Sequence, residues 1–272
     1  MVISEKLKYE EVTGYKFGRT LVGQPKMCAY IYFVDGLLID TGQRFLRKEV
    51  RTVTKQLPIK QIFITHHHED HTGNIIPIQQ QHQCKVFGSD ACSKLMKAPP
   101  RLSFAQQFTW GNREPFAEII PIKDHVTTPK HTFQLIPIPG HAPDMVALYE
   151  PEKHWLFSAD LYINSYIGYF LDSESVAQQI ASTRKILTLD FKVLFCNHNP
   201  QLKNAKQQLV KKLDFLETSF EEVARLHGKG LTAKAIFKEL KWQENWFVSI
   251  LSGGQLSKQN MVKSIVRDLE NG

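Results

Sequence analysis

At 272 residues, the chain is long enough for one large α/β domain with a small appendage, and 42% hydrophobic residues suffice for a packed core. Its net charge of +7 favours anionic partners, but it is equally typical of a basic protein that has none. The four cysteines form no C-x-x-C pair, which argues against a thiolate zinc knuckle and a disulfide framework. Early charges at Glu5 and Lys6, and the lack of an apolar stretch of roughly 20 residues, predict a cytoplasmic protein without a membrane partner.

The first predicted elements are two strands within residues 28–40, which flank the hairpin dipeptide Asp35-Gly36. A short buried strand over 62–65 leads directly into the run Thr65-His66-His67-His68-Glu69-Asp70-His71-Thr72-Gly73, and a helix is predicted to begin near Pro77. The histidine-rich run therefore occupies a strand-to-helix loop, where open α/β sheets bind their ligands. The other elements predicted in this half are a helix over 48–56, a strand over 85–88 and an irregular insertion over 98–118 that could wall or cover the site.

The second half is predicted to begin with strands and to end with helices. A helix that runs to about residue 189 begins at the capping segment Asp172–Ser175. Apolar residues three and four apart then predict one long amphipathic helix over 209–226, and Thr232 and Ser257 are predicted to cap two shorter helices. The strands are predicted over 132–137, 145–149, 155–158 and 191–196.

The residue types in the histidine-rich run are those that bind transition metals, since imidazole suits zinc, copper, iron and nickel and a carboxylate adds an oxygen ligand. His66 and His68 are alternate residues of an extended segment, so they can converge on one metal while His67 faces elsewhere. Asp70 and His71 lie beyond the bend and can serve a second metal. A plain polar loop or a tag explains the run less well, because four of the 11 histidines cluster between a strand and a helix.

One loop cannot complete two sites, because zinc takes about four ligands. Three further candidates follow predicted strands. His141 lies in the segment Pro139–Asp144, Asp160 follows the strand over 155–158, and His198 follows the strand over 191–196. Their common position at strand ends fits a metal site better than three unrelated polar residues.

These motifs resemble those of the metallo-β-lactamase-fold superfamily over roughly residues 28–200. The resemblance implies an α/β fold, an αββα sandwich with the site at one edge of two facing sheets, followed by an all-helical C-terminal extension. It divides the chain into a catalytic domain over 1–200 and a helical region over 201–272. The motifs are His66-x-His68-x-Asp70-His71, Gly140-His141, Ser158-Ala159-Asp160, the late His198 and the strand end Leu37–Gly42.

Two branches of the superfamily look most similar, namely the glyoxalase II-like hydrolases and the endoribonucleases with a small helical C-terminal domain. His68 argues against the flavodiiron relatives, in which a glutamate replaces the second histidine, and so against a redox role. Ala159 stands where the family often has glycine, a change that we expect to cost little. Ala142 replaces a frequent threonine, so one hydroxyl is lost from that loop.

The resemblance also implies a ligand set and a mechanism. Zinc, two ions per chain, is the expected metal, with manganese or iron as alternatives. A metal-bound hydroxide would attack the substrate, with Asp70 orienting it and passing a proton to the leaving group. Asp40 is the candidate for a residue that holds the second nitrogen of a histidine ligand. One metal would be held by His66, His68 and His141, the other by Asp70, His71 and His198, and Asp160 would bridge them.

The favoured function is hydrolysis of a small carbonyl substrate, such as a thioester, a lactone or another ester. A nuclease or phosphodiesterase using the same site is the alternative; the +7 charge and the helical region support it, but no Lys/Arg run localises the charge. A function of another class is that of an inactive protein that binds metal or nucleic acid. The complete ligand set argues against this alternative. The helical region could form a substrate wall or the face of a homodimer.

Overall fold

The structure, a computed structural model, describes residues 2–19 and 28–271. These residues form two β-sheets of seven and five strands that face each other, with helices on both outer sides. The predicted αββα sandwich with a helical C-terminal region is therefore confirmed. No helix of the described chain is long and apolar enough to cross a membrane.

The seven-stranded sheet is built in chain order from the first half of the protein. Its strands are β1 (Val2–Tyr9), β2 (Val12–Arg19), β3 (Cys28–Val34), β4 (Leu37–Ile39), β5 (Gln61–Ile64), β6 (Lys85–Gly88) and β7 (Ile119–Pro121). The first four are antiparallel, and β4 to β7 are parallel. Asp35 and Gly36 both have positive φ, 46° and 86°, as a tight hairpin turn with the twist of its strands requires.

The remaining strands are β8 (His125–Thr127), β9 (Thr132–Pro137), β10 (Val146–Glu150), β11 (Trp155–Ala159), β12 (Phe170–Leu171), β13 (Val193–Cys196) and β14 (Leu256–Ser257). The five-stranded sheet has the order β13-β11-β10-β9-β8, and β12 pairs with β14 in a small separate sheet. The pair β11–β13 is parallel. The strands β1, β2, β7 and β8 were not predicted, because their short apolar runs lack a clear period.

The helices are α1 (Arg47–Thr54), α2 (Glu69–Thr72), α3 (Ile75–His82), α4 (Asp90–Lys97), α5 (Phe104–Trp110), α6 (Val176–Leu187), α7 (Ala205–His227), α8 (Ala233–Glu239), α9 (Trp246–Leu251) and α10 (Lys258–Asn271). Two of the predicted caps are present, since the side chains of Ser175 and Thr232 accept from the amides of Gln178 and Ala235. The segment over 98–118, predicted as irregular, contains α5.

Aromatic side chains fill the space between the sheets. Tyr32 and Phe63 from the first sheet pack against Phe133, Phe157 and Phe195 from the second. This packing aligns the two sheets so that the carboxyl ends of their parallel strands meet at one edge. Asp40 follows β4, the histidine-rich run follows β5, and Asp160 and His198 follow β11 and β13.

The helical region shares its core with earlier parts of the chain. Leu216 of α7 and Met261 of α10 pack in one cluster with Phe170 and Val176, which precede residue 200. Leu209, at the start of α7, packs under the five-stranded sheet instead. The division into domains over 1–200 and 201–272 stays a prediction, and these shared clusters show that the two parts are closely joined.

Candidate metal centre

The histidine-rich run is tightly bound to the loop that follows β4. Its end forms the single-turn helix α2, which was not predicted. Thr41 donates from both its amide (2.8 Å) and its hydroxyl (2.7 Å) to the carbonyl oxygen of His71. The side-chain nitrogen Nδ2 of Asn74 donates to the carbonyl oxygens of Thr41, Gly42 and Gln43 at 2.9–3.1 Å. The side chains on the run therefore stand on a fixed backbone.

The first group of candidate ligands consists of three histidines. The ligand nitrogens of His66, His68 and His141 all lie within 4.8 Å of one another. His68 presents its Nδ1, which lies 3.1 Å from Nε2 of His141. Three convergent imidazoles are a common ligand set for zinc.

The second group contains two carboxylates and two histidines, Asp70, Asp160, His71 and His198, and their ligand atoms also lie within 4.8 Å of one another. Oδ2 of Asp160 is 3.1 Å from Nε2 of His198 and 3.4 Å from Nε2 of His71. The same oxygen is 3.4 Å from Nε2 of His141 in the first group. The fold thus brings all seven predicted residues into one cluster with Asp160 in the middle; their action as ligands stays a prediction.

The chemistry of the cluster fits divalent metal ions. Nε2 of His66, Nε2 of His71 and Oδ1 of Asp160 are buried and have no hydrogen-bond partner among the described residues. Buried polar atoms are otherwise nearly always paired, so these three point to a group that completes them. Imidazole nitrogens and carboxylate oxygens are suitable ligands for zinc.

Four histidines of the cluster point Nε2 towards its centre, and each of them is held by a contact to its other ring nitrogen, Nδ1. Such outer contacts orient the ring and fix its tautomer, and they are typical of histidines that bind metal. The outer partners are Thr65 Oγ1 for His66 (3.1 Å), Asp40 Oδ2 for His71 (2.8 Å), Glu174 Oε1 for His141 (3.2 Å) and the Cys28 carbonyl oxygen for His198 (2.7 Å).

Asp40 connects several parts of the site. Besides His71, its buried carboxylate accepts from the amide (2.9 Å) and hydroxyl of Thr65 and from the side-chain amide of Asn197 (2.8 Å). Its φ of 60° lies in the left-handed region, which aspartate tolerates better than most residues. Asp40 therefore occupies the position that its predicted outer role requires.

His67 faces away from the cluster. Its Nδ1 lies 2.7 Å from Oδ1 of Asp144, and its carbonyl oxygen accepts from Arg113 (2.7 Å).

Arg113 also approaches Glu69 at 3.7 Å, and burial together with the charge of Asp70 raises the pKa of Glu69 to about 7. Sequence reasoning missed these supporting residues and Glu174. Of these residues, only Asp144 could have been found from the sequence, because it ends the segment Pro139–Asp144 that contains His141.

The histidines of the cluster differ in how their surroundings shift the pKa. In the first group, burial lowers the pKa of His141, but the carboxylates of Glu174 and Asp160 outweigh it and raise the value to about 9. Burial, and then the neighbouring imidazoles, hold the pKa values of His66 and His68 well below the usual range, so both are neutral. Burial acts in the same direction on His71 and His198, but the carboxylates beside them raise their pKa values well above it. The second group therefore attracts positive charge, which a proton or a metal ion can supply.

Ala159 requires a correction to the expectation that alanine costs little here. Its φ of 44° lies in the left-handed region, where an alanine is strained by about 1–2 kcal/mol and glycine is not. The residue directly precedes Asp160 at the end of β11. The turn that delivers the central carboxylate is thus slightly strained in this chain.

Comparisons with known proteins point to one superfamily. Residues 29–198 match the family described as the Metallo-beta-lactamase superfamily. A hydroxyacylglutathione hydrolase of Legionella pneumophila (strain Corby) is 29% identical over 188 residues, and one of Bartonella tribocorum is 28% identical over 174 residues. The matches cover 65% and 62% of this chain and 63% and 60% of those proteins, so the chain spans less than two thirds of their length.

Solved structures show the same fold. A beta-lactamase domain protein from Burkholderia ambifaria aligns with a TM-score of 0.70 at 14% identity, covering 96% of this chain and 88% of its own. A metallo-beta-lactamase from Pontibacter korlensis aligns with a TM-score of 0.59 at 20% identity, covering 80% and 99%. At 14% and 20% identity, these likenesses show the fold alone.

Proposed function

Since the chain belongs to the metallo-beta-lactamase superfamily, we propose that it is a dinuclear zinc hydrolase that acts on a small thioester, lactone or other ester. The observation that most supports two metals is the position of Asp160, whose Oδ2 lies within 3.4 Å of a histidine nitrogen in each ligand group. The matched relatives are hydroxyacylglutathione hydrolases, and an acylated glutathione is a thioester, which favours this substrate class.

The residues divide as their positions suggest. His66, His68 and His141 would hold one ion, and Asp160 would bridge it to a second ion held by Asp70, His71 and His198. When bound, two such ions lower the pKa of a shared water and polarise a carbonyl oxygen.

The chain's own groups supply orientation and proton transfer. Oδ2 of Asp70 lies 3.3 Å from Nε2 of His198, and the side chain is buried, so its carboxylate can orient a nucleophile and hand a proton to the leaving group. The ring of Trp110, at the end of α5, lies 6.1 Å from the ring of His198. This contact supports the interpretation of the segment over 98–118 as a wall of the site.

Metal content tests the dinuclear site. Protein purified without chelator should contain close to two equivalents of zinc per chain, and His198→Ala should reduce the content towards one. Elemental analysis of both proteins measures this directly. At most one equivalent in the wild type, unchanged in His198→Ala, would refute the dinuclear proposal.

An alternative substrate, nucleic acid, is favoured by one feature of the surface. Arg47, Lys48 and Arg51 of α1, together with Lys55 directly after it, line a groove of about 500 Å³, whereas the sequence predicted no localised positive charge. Arg47 donates to the carbonyl oxygen of Gly73 (3.1 Å), so this basic groove begins beside the end of the histidine-rich run. A backbone of phosphates could follow it to the site.

A substrate panel at two salt concentrations separates the two substrate classes. We expect turnover of a thioester or a lactone that barely depends on salt. Efficient cleavage of single-stranded RNA, falling steeply as salt rises and lost in Arg51→Glu but kept in the remote Lys229→Glu, would establish the nuclease instead.

We also propose a cytoplasmic location. Cys84, Cys92 and Cys196 are buried as thiols, which suits a reducing compartment. Fractionation of the source cells, with detection of the protein by antibody, tests the location; recovery outside the cytoplasm would contradict it.

A further inference from the structure

The outer nitrogen of His141 contacts a residue that lies outside both large sheets. Glu174 stands in the turn between β12 and α6, and its Oε1 lies 3.2 Å from Nδ1 of His141. The carboxylate is itself fixed, because Oε1 accepts from the amide of Leu171 (3.2 Å) and Oε2 from the side chain of Gln179 (2.5 Å). Glu174 is only 7% exposed, so this arrangement is shielded from water.

The last helix of the chain holds the turn that contains Glu174. The hydroxyl of Ser264 (2.9 Å) and the guanidinium of Arg267 (2.7 Å) both donate to the carbonyl oxygen of Glu174. One turn further along α10, the carboxylate of Asp268 accepts from the amide of Ala177 (2.9 Å) and from the hydroxyl of Ser175 (3.0 Å). Three side chains of α10 thus fix both the backbone and the direction of this turn.

The same turn also fixes the backbone just before His141. The amide of Ser175 donates to the carbonyl oxygen of Gly140 at 2.9 Å. Gly140 has a φ of 134°, and a Cβ added there would lie 2.6 Å from the backbone nitrogen of Gln179. The close approach keeps His141 against the start of α6, so both its backbone and its ring depend on that turn.

We propose that α10 is a positioning element of the metal centre, because it holds the turn through which Glu174 orients His141. The inference rests on the proposed function in one respect, namely that His141 is a metal ligand. Glu174, Ser264, Arg267 and Asp268 are then positioning residues that act through His141.

A second contact from the helical region reaches the other side of the cluster. The ammonium group of Lys212, on α7, donates to the carbonyl oxygen of Leu161, the residue after Asp160. Lys212 is 2% exposed, so the contact lies inside the molecule. The helical region thus supports the chain next to two of the seven candidate ligands.

The test is a zinc titration of the metal-free protein against a competing chelator, which needs no substrate. Glu174→Ala should weaken the affinity of one of the two sites by about 10–100-fold and leave the other close to wild type. Glu174→Gln keeps an oxygen acceptor and should fall between Glu174→Ala and wild type. The double variant Ser264→Ala, Arg267→Ala should weaken the same site, but less than Glu174→Ala.

Glu270→Ala is the matched control, since Glu270 is an exposed residue of the same helix, and it should bind zinc like the wild type. Thermal unfolding of each metal-free variant checks its fold, and Glu174→Gln and the double variant suffice if Glu174→Ala does not fold. Two sites in the wild type with unchanged affinities in the folded variants would overturn this inference alone. Failure of the wild type to bind two ions would instead overturn the proposed function.

Discussion

The two sides of the candidate metal centre are held in different ways. The histidine-rich run, over 65–73, is fixed mainly by Asp40 and Asn74, with further contacts from Arg113 and Asp144, and all four residues precede the helical region. The segment over 160–177, called here the bridging segment, contains Asp160 and Glu174 and is fixed by helices that follow much later in the chain. The contacts that hold the run therefore come from residues before the helical region, whereas those that hold the bridging segment come from the helical region.

Lys258 illustrates the second kind of support. It is the first residue of α10, and its ammonium group donates to the carbonyl oxygen of Ile167 in the bridging segment (2.7 Å). The rings of Tyr166, Phe215 and Trp242 surround the ammonium group at 4.4–4.8 Å. Cation–π attraction and one carbonyl oxygen offset part of the cost of burying this charge, and burial still lowers the pKa of Lys258 to about 8.

The largest expected effect is that of Asp160→Ala, which removes the oxygen shared by both ligand groups. Activity should fall by about 10³-fold, equivalent to about 4 kcal/mol, because neither ion keeps its position. His67→Ala should cost at most about tenfold, since His67 contacts Asp144 rather than the cluster. Steady-state kinetics of both variants measures the difference. Similar losses in the two variants would mean that the side chain of His67 points towards the metals, contrary to this prediction.

A smaller effect is expected from a change in Asp40, which holds the histidine-rich run. Asp40→Asn removes the charge that orients His71, and asparagine tolerates the left-handed backbone at this position. Zinc affinity should fall by about 10–100-fold at one site. Chelator competition with Asp40→Asn measures the loss, and Asp35→Asn, in the hairpin turn, is the control. Unchanged affinity at both sites would show that Asp40 supports only the backbone.

On the side of the bridging segment, Lys258→Ala should lower the free energy of unfolding by about 1–3 kcal/mol. The change leaves the Ile167 carbonyl oxygen unpaired and opens a space between three aromatic rings. Ethylammonium in the buffer should restore part of the loss. Urea unfolding measures both effects, with the exposed Lys263→Ala as control. A loss in Lys263→Ala as large as in Lys258→Ala would contradict this role.

The smallest effect separates the stability of the helical region from its positioning role. Thr232→Ala removes the cap of α8, which is worth about 1 kcal/mol, and Thr232→Ser should retain it. Zinc affinity at both sites should stay at the wild-type value, because α8 makes none of the contacts to the bridging segment described above. Loss of zinc affinity in Thr232→Ala would mean that any weakening of the helical region disturbs the centre.

Sequence patterns predicted those elements whose signals are local. The strands Lys85–Gly88 and Thr132–Pro137 occur at their predicted bounds, because turn residues flank short β-rich runs. The candidate ligands were identified because they stand at strand ends, and strand ends meet in three dimensions. Glu174 was read only as part of a helix start, since its nearness to His141 exists only once α6 packs on the second sheet. The single turn of α2 is likewise set by tertiary contacts.

The order of the sheets along the chain has a consequence for synthesis. Each described strand of the seven-stranded sheet lies before residue 122, and those of the five-stranded sheet lie between residues 125 and 196. Tyr32 and Phe63, on the inner face of the first sheet, are covered by Phe133 and Phe157 of the second. A ribosome adding about 5–20 residues per second needs roughly 4–15 s to supply residues 122–196, which complete the second sheet. During this interval a sheet that can already pair its strands presents an apolar face to the cell, and chaperones would bind the nascent chain there.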